Sequence, residues 1–223
     1  MVDMKIKWMF LLVLILLIGS CGGEDQIPKP KGYLRLDYST ASYKTHQFSK
    51  TPLTFELNDL VDNVNEKALM GSTESYGINL DYTSLKATVF LTYKAINGSE
   101  DNLNDFLKDA QKLTLEHTKK ADEIPVYPFE NQTQSVFGKL SEVKGNAASP
   151  IQFYVTDSVN HFLTGSLYFK AKPNYDSILP AAKYLQKDIQ RIMETIIWQN
   201  SGEEGTKAKI NIDTGDTLGV IKK

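Results

Sequence analysis

The sequence is poor in cysteine. Its 223 residues hold one, Cys21, so no intramolecular disulfide and no thiolate metal cluster can form, and the fold must be held by its core. Histidine is nearly as scarce. His46, His117 and His161 stand apart from one another and from any cysteine or carboxylate at metal-ligand spacing. No G-x-S-x-G, phosphate-binding loop or H-E-x-x-H occurs. Charge of one sign is also missing: 25 lysines and arginines face 27 aspartates and glutamates, a formal charge of -2. Nothing in that balance favours nucleic acid, which needs a basic face, and no long like-charge block offers a grip on anionic headgroups. Finally, no apolar run reaches the roughly 20 residues of a membrane-spanning helix.

The longest apolar run, Trp8 to Ile18, follows Lys5 and Lys7 and ends at Gly19-Ser20-Cys21. That order predicts a lipoprotein signal peptide over residues 1–20. A short apolar helix enters the export channel, and the small residues let a peptidase approach the backbone once the thiol carries a diacylglycerol. Cleavage would leave Cys21 first, bearing diacylglycerol and an N-acyl (palmitate-type) lipid, and its thiol would no longer be free for catalysis. Cys21 is thus the expected lipidation site, with no further cofactor, no metal and no catalytic residue. The expected location is a cell membrane, lipid-anchored and periplasm-facing, with inner and outer membrane both open. Losing two lysines and one aspartate with the signal leaves 23 basic and 26 acidic side chains, a formal charge near -3.

Residues 21–32, with Glu24-Asp25, Pro28 and Pro30 among glycines, predict a flexible tether. Residues 33–198 are enough for one well-buried domain, and 199–223 read as a mostly disordered tail in which Ile210 and Ile212 are the candidates for a short edge strand. Within the domain, Tyr33 to Tyr38, Tyr43 to Phe48 and the alternating Leu53, Phe55 and Leu57 read as strands. Tyr76 to Tyr82 follows, with Ile78 and Leu80 on one side. Leu85 to Lys94 alternates cleanly, Leu85, Ala87, Val89, Leu91 and Tyr93 facing one way.

From Asp101 to Lys120 the period becomes helical, through Leu103, Phe106, Leu107, Ala110, Leu113, Thr114 and His117. Glu100 and Asp101 at one end and Lys119 and Lys120 at the other suit the helix dipole. Ser135 to Val143, Ile151 to Thr156 and Phe162 to Phe169 read as a meander, its turns too short for crossovers and its strands therefore antiparallel. A second helix is expected from an N-cap at Asp176 or Ser177, with Pro180 in its first turn. Its stripe is Ile178, Ala181, Ala182, Leu185, Ile189, Ile192, Met193 and Ile196. The predicted fold is α+β, an antiparallel sheet of about seven strands, edges included, covered by two helices.

Chemistry is thin. Asp157, Ser158 and His161 place an acid, a hydroxyl and an imidazole in one stretch, but hairpin turns use the same residues, and triads are assembled from separate segments around an oxyanion hole. His117 lies on the first helix's apolar stripe, where a hydrogen-bonded residue at the core's edge is the commoner role. Asp105 and Asp109 fall on that helix's solvated side and Glu203-Glu204 in the tail, without the burial that a shared-proton pair needs. Tyr33, Tyr38, Tyr43, Tyr76 and Tyr82 are concentrated in the first third. Tyrosine favours strands, so sheet packing accounts for them, with a binding groove as the alternative.

Long phrases are more distinctive. Pro28-Lys-Pro-Lys-Gly-Tyr33, Leu85-Lys-Ala-Thr-Val-Phe-Leu-Thr-Tyr93, His117-Thr-Lys-Lys-Ala121, Gly145-Asn-Ala-Ala-Ser-Pro-Ile-Gln-Phe153, Val155-Thr-Asp-Ser158 and His161-Phe162 resemble the gliding-motility lipoprotein D family, GldD, of Bacteroidetes. The resemblance runs from the lipobox to about Trp198. It departs around Tyr38-Ser39 and His46-Gln47, where relatives are expected to carry more proline and a Cys-Pro pair.

The resemblance implies a non-enzymatic accessory of the gliding machinery and of type IX protein secretion, attached to the membrane through its lipid and acting by protein interaction. Its implied partners are gliding or secretion membrane proteins, GldE among them, and only Cys21 carries over as a functional position. The alternative is a periplasmic lipid- or small-molecule-binding module, which a deep apolar pocket would favour and a solid core would sink.

Overall fold

A computed structural model describes residues 38–116, 120–170, 175–199 and 221–222. The signal, the tether, Tyr33 to Asp37, His117, and tail residues 200–220 with Ile210 and Ile212 lie outside them.

The largest element is a seven-stranded antiparallel sheet. In chain order its strands are β3 (Asn63–Ala68), β4 (Ser75–Tyr82), β5 (Ala87–Ala95), β7 (Val126–Asn131), β8 (Val136–Glu142), β10 (Ile151–Thr156) and β11 (His161–Phe169), arranged in space as β3-β4-β5-β11-β10-β8-β7. The three expected meander strands lie side by side, with Val155 opposite Gly138 and Leu163. At the centre Val89 faces Leu80 on one neighbour and Leu167 on the other. This pairing brings the alternating apolar positions of separate strands onto one face, which is why a period of two in the sequence becomes a continuous core.

That face buries Ile78, Leu80, Val89, Leu91, Phe153 and Leu163, and the helix α2 (Tyr175–Thr195) lies against it with Leu185, Ile189, Ile192 and Met193. Each such side chain contributes roughly 1.5–3 kcal/mol on full burial. A smaller sheet of β1 (Tyr43–Gln47), β2 (Leu53–Asn58) and β12 (Ile197–Trp198) closes the same core with Leu53, Phe55 and Leu57. Gly165 marks a close approach: a Cβ there would collide with the Phe153 ring and reach Leu91 Cδ2 at 2.8 Å.

The opposite face of the large sheet carries α1 (Glu100–Glu116), whose Leu103 and Phe106 pack with Ile96 and Phe162. Ser99 starts it, its Oγ accepting the Asn102 N–H at 3.3 Å. A third ribbon pairs β6 (Ala121–Ile124) with β9 (Lys144–Gly145) and with β13 (Ile221–Lys222).

Three sequence expectations are corrected. Leu85 does not open β5: it closes a 3-10 turn over Thr83–Leu85, and Lys86 at φ 50° turns the chain so that the strand begins at Ala87. Asp176 and Ser177 are not N-caps, because Tyr175 is already helical and the Asn146 side chain accepts its N–H at 3.0 Å. The helix thus starts ahead of both, and Pro180 sits in the second turn, where its missing donor forfeits one backbone hydrogen bond. The sheet does have seven strands, but β1 and β2 belong to the smaller sheet, while the polar β3 and the Pro128-bearing β7 form the edges. Edge strands keep one ladder unpaired, so polar residues and proline are tolerated there.

Candidate functional site

The Asp157, Ser158 and His161 stretch forms the tight β10–β11 turn. One carboxylate oxygen of Asp157 accepts the N–H groups of Val159, Asn160 and His161 at 2.9, 2.8 and 2.8 Å, which is Asx-turn chemistry. Ser158 stands at φ 68° with its N–H donated to the Thr156 hydroxyl. The His161 ring is buried and points the other way, its Nδ1 2.8 Å from the Tyr93 hydroxyl and its plane stacked on Trp198 at 5.1 Å. Burial lowers the His161 pKa, opposed by the nearby Asp157 charge. Acid, hydroxyl and imidazole are therefore not aligned for nucleophilic catalysis. Among the described residues no group of three or more His, Cys, Asp or Glu side chains is placed to hold a metal ion.

A buried polar cluster around Asp188 was not legible as a site. Asp188, on the buried stripe of α2, is 2 % exposed. Its carboxylate accepts the Tyr43 hydroxyl at 2.7 Å and the Asn58 amide at 2.9 and 3.0 Å. The same amide donates to the Tyr184 hydroxyl at 3.1 Å, and Tyr184 stacks on Tyr38 at 4.7 Å. The Tyr82 hydroxyl is close enough to couple electrostatically to Asp188 but has no partner in bonding geometry. Burial raises the Asp188 pKa, and the hydrogen bonds from Tyr43 and Asn58 pull it back. Arg191, one turn on, lies over the Tyr43 ring and pairs with Glu56 at 2.7 Å. Of the tyrosines singled out in the sequence, Tyr38, Tyr43 and Tyr82 gather here, whereas Tyr76 stacks on Tyr93 and Tyr33 lies outside the described residues. The arrangement fastens the small sheet to α2. A buried carboxylate with this many donors acts as a structural tie between the two elements.

A separate cleft of about 430 Å³ lies between α1 and the outer face of β8, β10 and β11. Its walls include Leu107, Leu113 and Tyr154, and its floor includes Ser141 and Gln152. This volume falls in the lower part of the range that holds small ligands. His46 takes no part in either site; it packs edge-on against Phe48.

Cys21, the one expected functional position, lies outside the described residues, and no described helix is long and apolar enough to cross a membrane. No curated protein matches the chain, and no solved structure does. The sequence does match the family described as gliding motility lipoprotein GldD over residues 23–198, which spans every strand of the large sheet, both helices and the phrases quoted above. The chain belongs to the GldD family of gliding motility lipoproteins, and with that membership comes a role in gliding motility.

Proposed function

We propose that this protein is a lipid-anchored accessory of the gliding machinery and of type IX protein secretion, facing the periplasm from the cell membrane and acting by protein interaction rather than by catalysis. The observation that carries the reading is the family match, which takes in nearly all of the expected mature chain. The sequence up to Cys21 supports it independently, since short apolar run, small residues and cysteine are what lipoprotein export requires. The hydrogen bonds of Asp157 and His161 give that stretch a turn-forming role. The partners are gliding or secretion membrane proteins, with GldE the first to examine, and the lipid at Cys21 is the only prosthetic chemistry.

Deletion of the gene in the source organism, scored for colony spreading and for release of a type IX cargo, tests this. The reading requires both to be lost and the wild-type gene to restore both. Loss of spreading with cargo release intact removes the secretion half, and retention of both removes the whole.

A further inference from the structure

Helix α1 buries its side chains at one end only. Leu103 and Phe106, in its first two turns, are its buried residues; Leu107, Ala110, Leu113 and Thr114 continue on the same side yet stay partly exposed because they stand over the cleft. The floor beneath them is polar at one end. Gln152 is 3 % exposed; its Oε1 accepts the Thr114 hydroxyl at 2.9 Å, while its Nε2 has no partner. A buried amide donor left unpaired is destabilising, and a ligand acceptor in the cleft would offset that. Ser141 lies directly across the ladder from Gln152, and Lys139 is the next residue of β8 on that face, opposite Tyr154. Among the cleft's lining residues are two lysines, Lys108 and Lys139, and no aspartate or glutamate, in a chain whose net charge is -2. Lys108 is engaged by Asp105 at 3.3 Å; Lys139, the cleft's other lysine, stands two residues along β8 from Ser141.

We propose that the cleft beneath α1 binds a single-chain carboxylate amphiphile of the fatty-acid class, its head held by Lys139, Ser141 and the Gln152 amide and its chain running between Leu107, Ala110, Leu113 and Tyr154. The apolar walls supply most of the affinity, and the amide and lysine fix which end enters where. This goes beyond the accessory role and stands or falls separately from it, because it is read by binding and not by spreading.

The test titrates dansyl-undecanoate into the full-length protein held in phosphatidylcholine nanodiscs, with palmitate and uncharged hexadecanol as competitors. Saturable binding, displaced by palmitate but not by hexadecanol, is expected. Because the nanodiscs offer phospholipid chains in excess, displacement above that background separates a free carboxylate from membrane lipid. Lys139→Glu, at an exposed position that the fold does not need, weakens binding about tenfold or more through loss of a charge-assisted contact; Ala110→Trp, which fills the cleft from the half-exposed helix, abolishes it, with circular dichroism confirming that both variants fold. No saturable binding, equal displacement by hexadecanol, or wild-type affinity in Ala110→Trp overturns the proposal.

Discussion

Asn58 and Asp188 are 130 residues apart and meet side chain to side chain, the Asn58 amide reaching both carboxylate oxygens at 3.0 and 2.9 Å. One residue ends β2 and the other lies mid-way along α2, so the pair ties the smaller sheet to the helix that covers the large one. Asn58→Leu strips both bonds from a carboxylate that stays buried. The expected loss is about 3 kcal/mol in urea unfolding, while Asn58→Leu with Asp188→Leu loses less than Asn58→Leu alone. A single-variant loss below about 0.5 kcal/mol would show that the pair is not a tie.

The same carboxylate gives stability an acid-side signature. Burial raises the folded pKa of Asp188 above its ordinary 3.8, hydrogen bonds only partly offsetting this. Between 3.8 and that raised value the folded state binds more protons than the unfolded, so this group's contribution grows as pH falls through the window and declines as pH rises. Relative to Asp188→Asn, the wild type therefore gains stability from neutral pH down toward 3.8. Parallel pH profiles for the two proteins, measured by thermal melting, would contradict this.

Glu66 behaves oppositely. It reaches from edge strand β3 to the β1–β2 connection, accepting the N–H groups of Ser49 and Lys50 at 2.8 and 2.9 Å and the hydroxyls of Ser49 and Thr51. Burial alone would raise its pKa, but these donors outweigh it and hold the carboxyl below its ordinary 4.5. Its stabilisation is full above 4.5 and is lost as pH falls through the lower folded value. Glu66→Gln removes about 1 kcal/mol at neutral pH, solvent screening at this half-exposed site taken into account, and the variant's profile is flatter on the acid side. Denaturant midpoints at neutral and acid pH check both statements.

Ser158→Ala separates turn chemistry from catalysis. Ser158 holds a left-handed φ of 68° and bonds Thr156 through its backbone N–H, both of which alanine keeps at similar cost. A deletion strain carrying Ser158→Ala is expected to spread like one carrying the wild type. Loss of spreading with a folded variant would reopen a hydrolytic role.

Strands whose alternating residues are buried on one face were legible: Ile78 and Leu80 in β4, Val89 and Leu91 in β5, and the β8, β10 and β11 meander. Their burial follows from local order alone. The edges were not. Asn63–Ala68 has no apolar period because one side of β3 faces solvent, and Pro128 breaks the strand pattern of β7 at a position where an edge needs no donor. Asp188 was hidden for a different reason. On the stripe Leu185, Ile189 and Ile192 it reads as an ordinary polar interruption, and only tertiary contact with Tyr43 and Asn58 explains it. Gln152 likewise sits in an apolar phrase, and its unpaired amide appears only once α1 is seen standing off the sheet.

The anchored-accessory account turns on Cys21, and the direct measurement is complementation of a deletion strain by wild-type protein or by Cys21→Ala, scored for colony spreading and for the membrane fraction of the protein. The account predicts that the wild type restores spreading from the membrane fraction, while Cys21→Ala accumulates, loses the membrane fraction and leaves the colonies non-spreading. Full spreading by a Cys21→Ala protein recovered in the soluble fraction would contradict it.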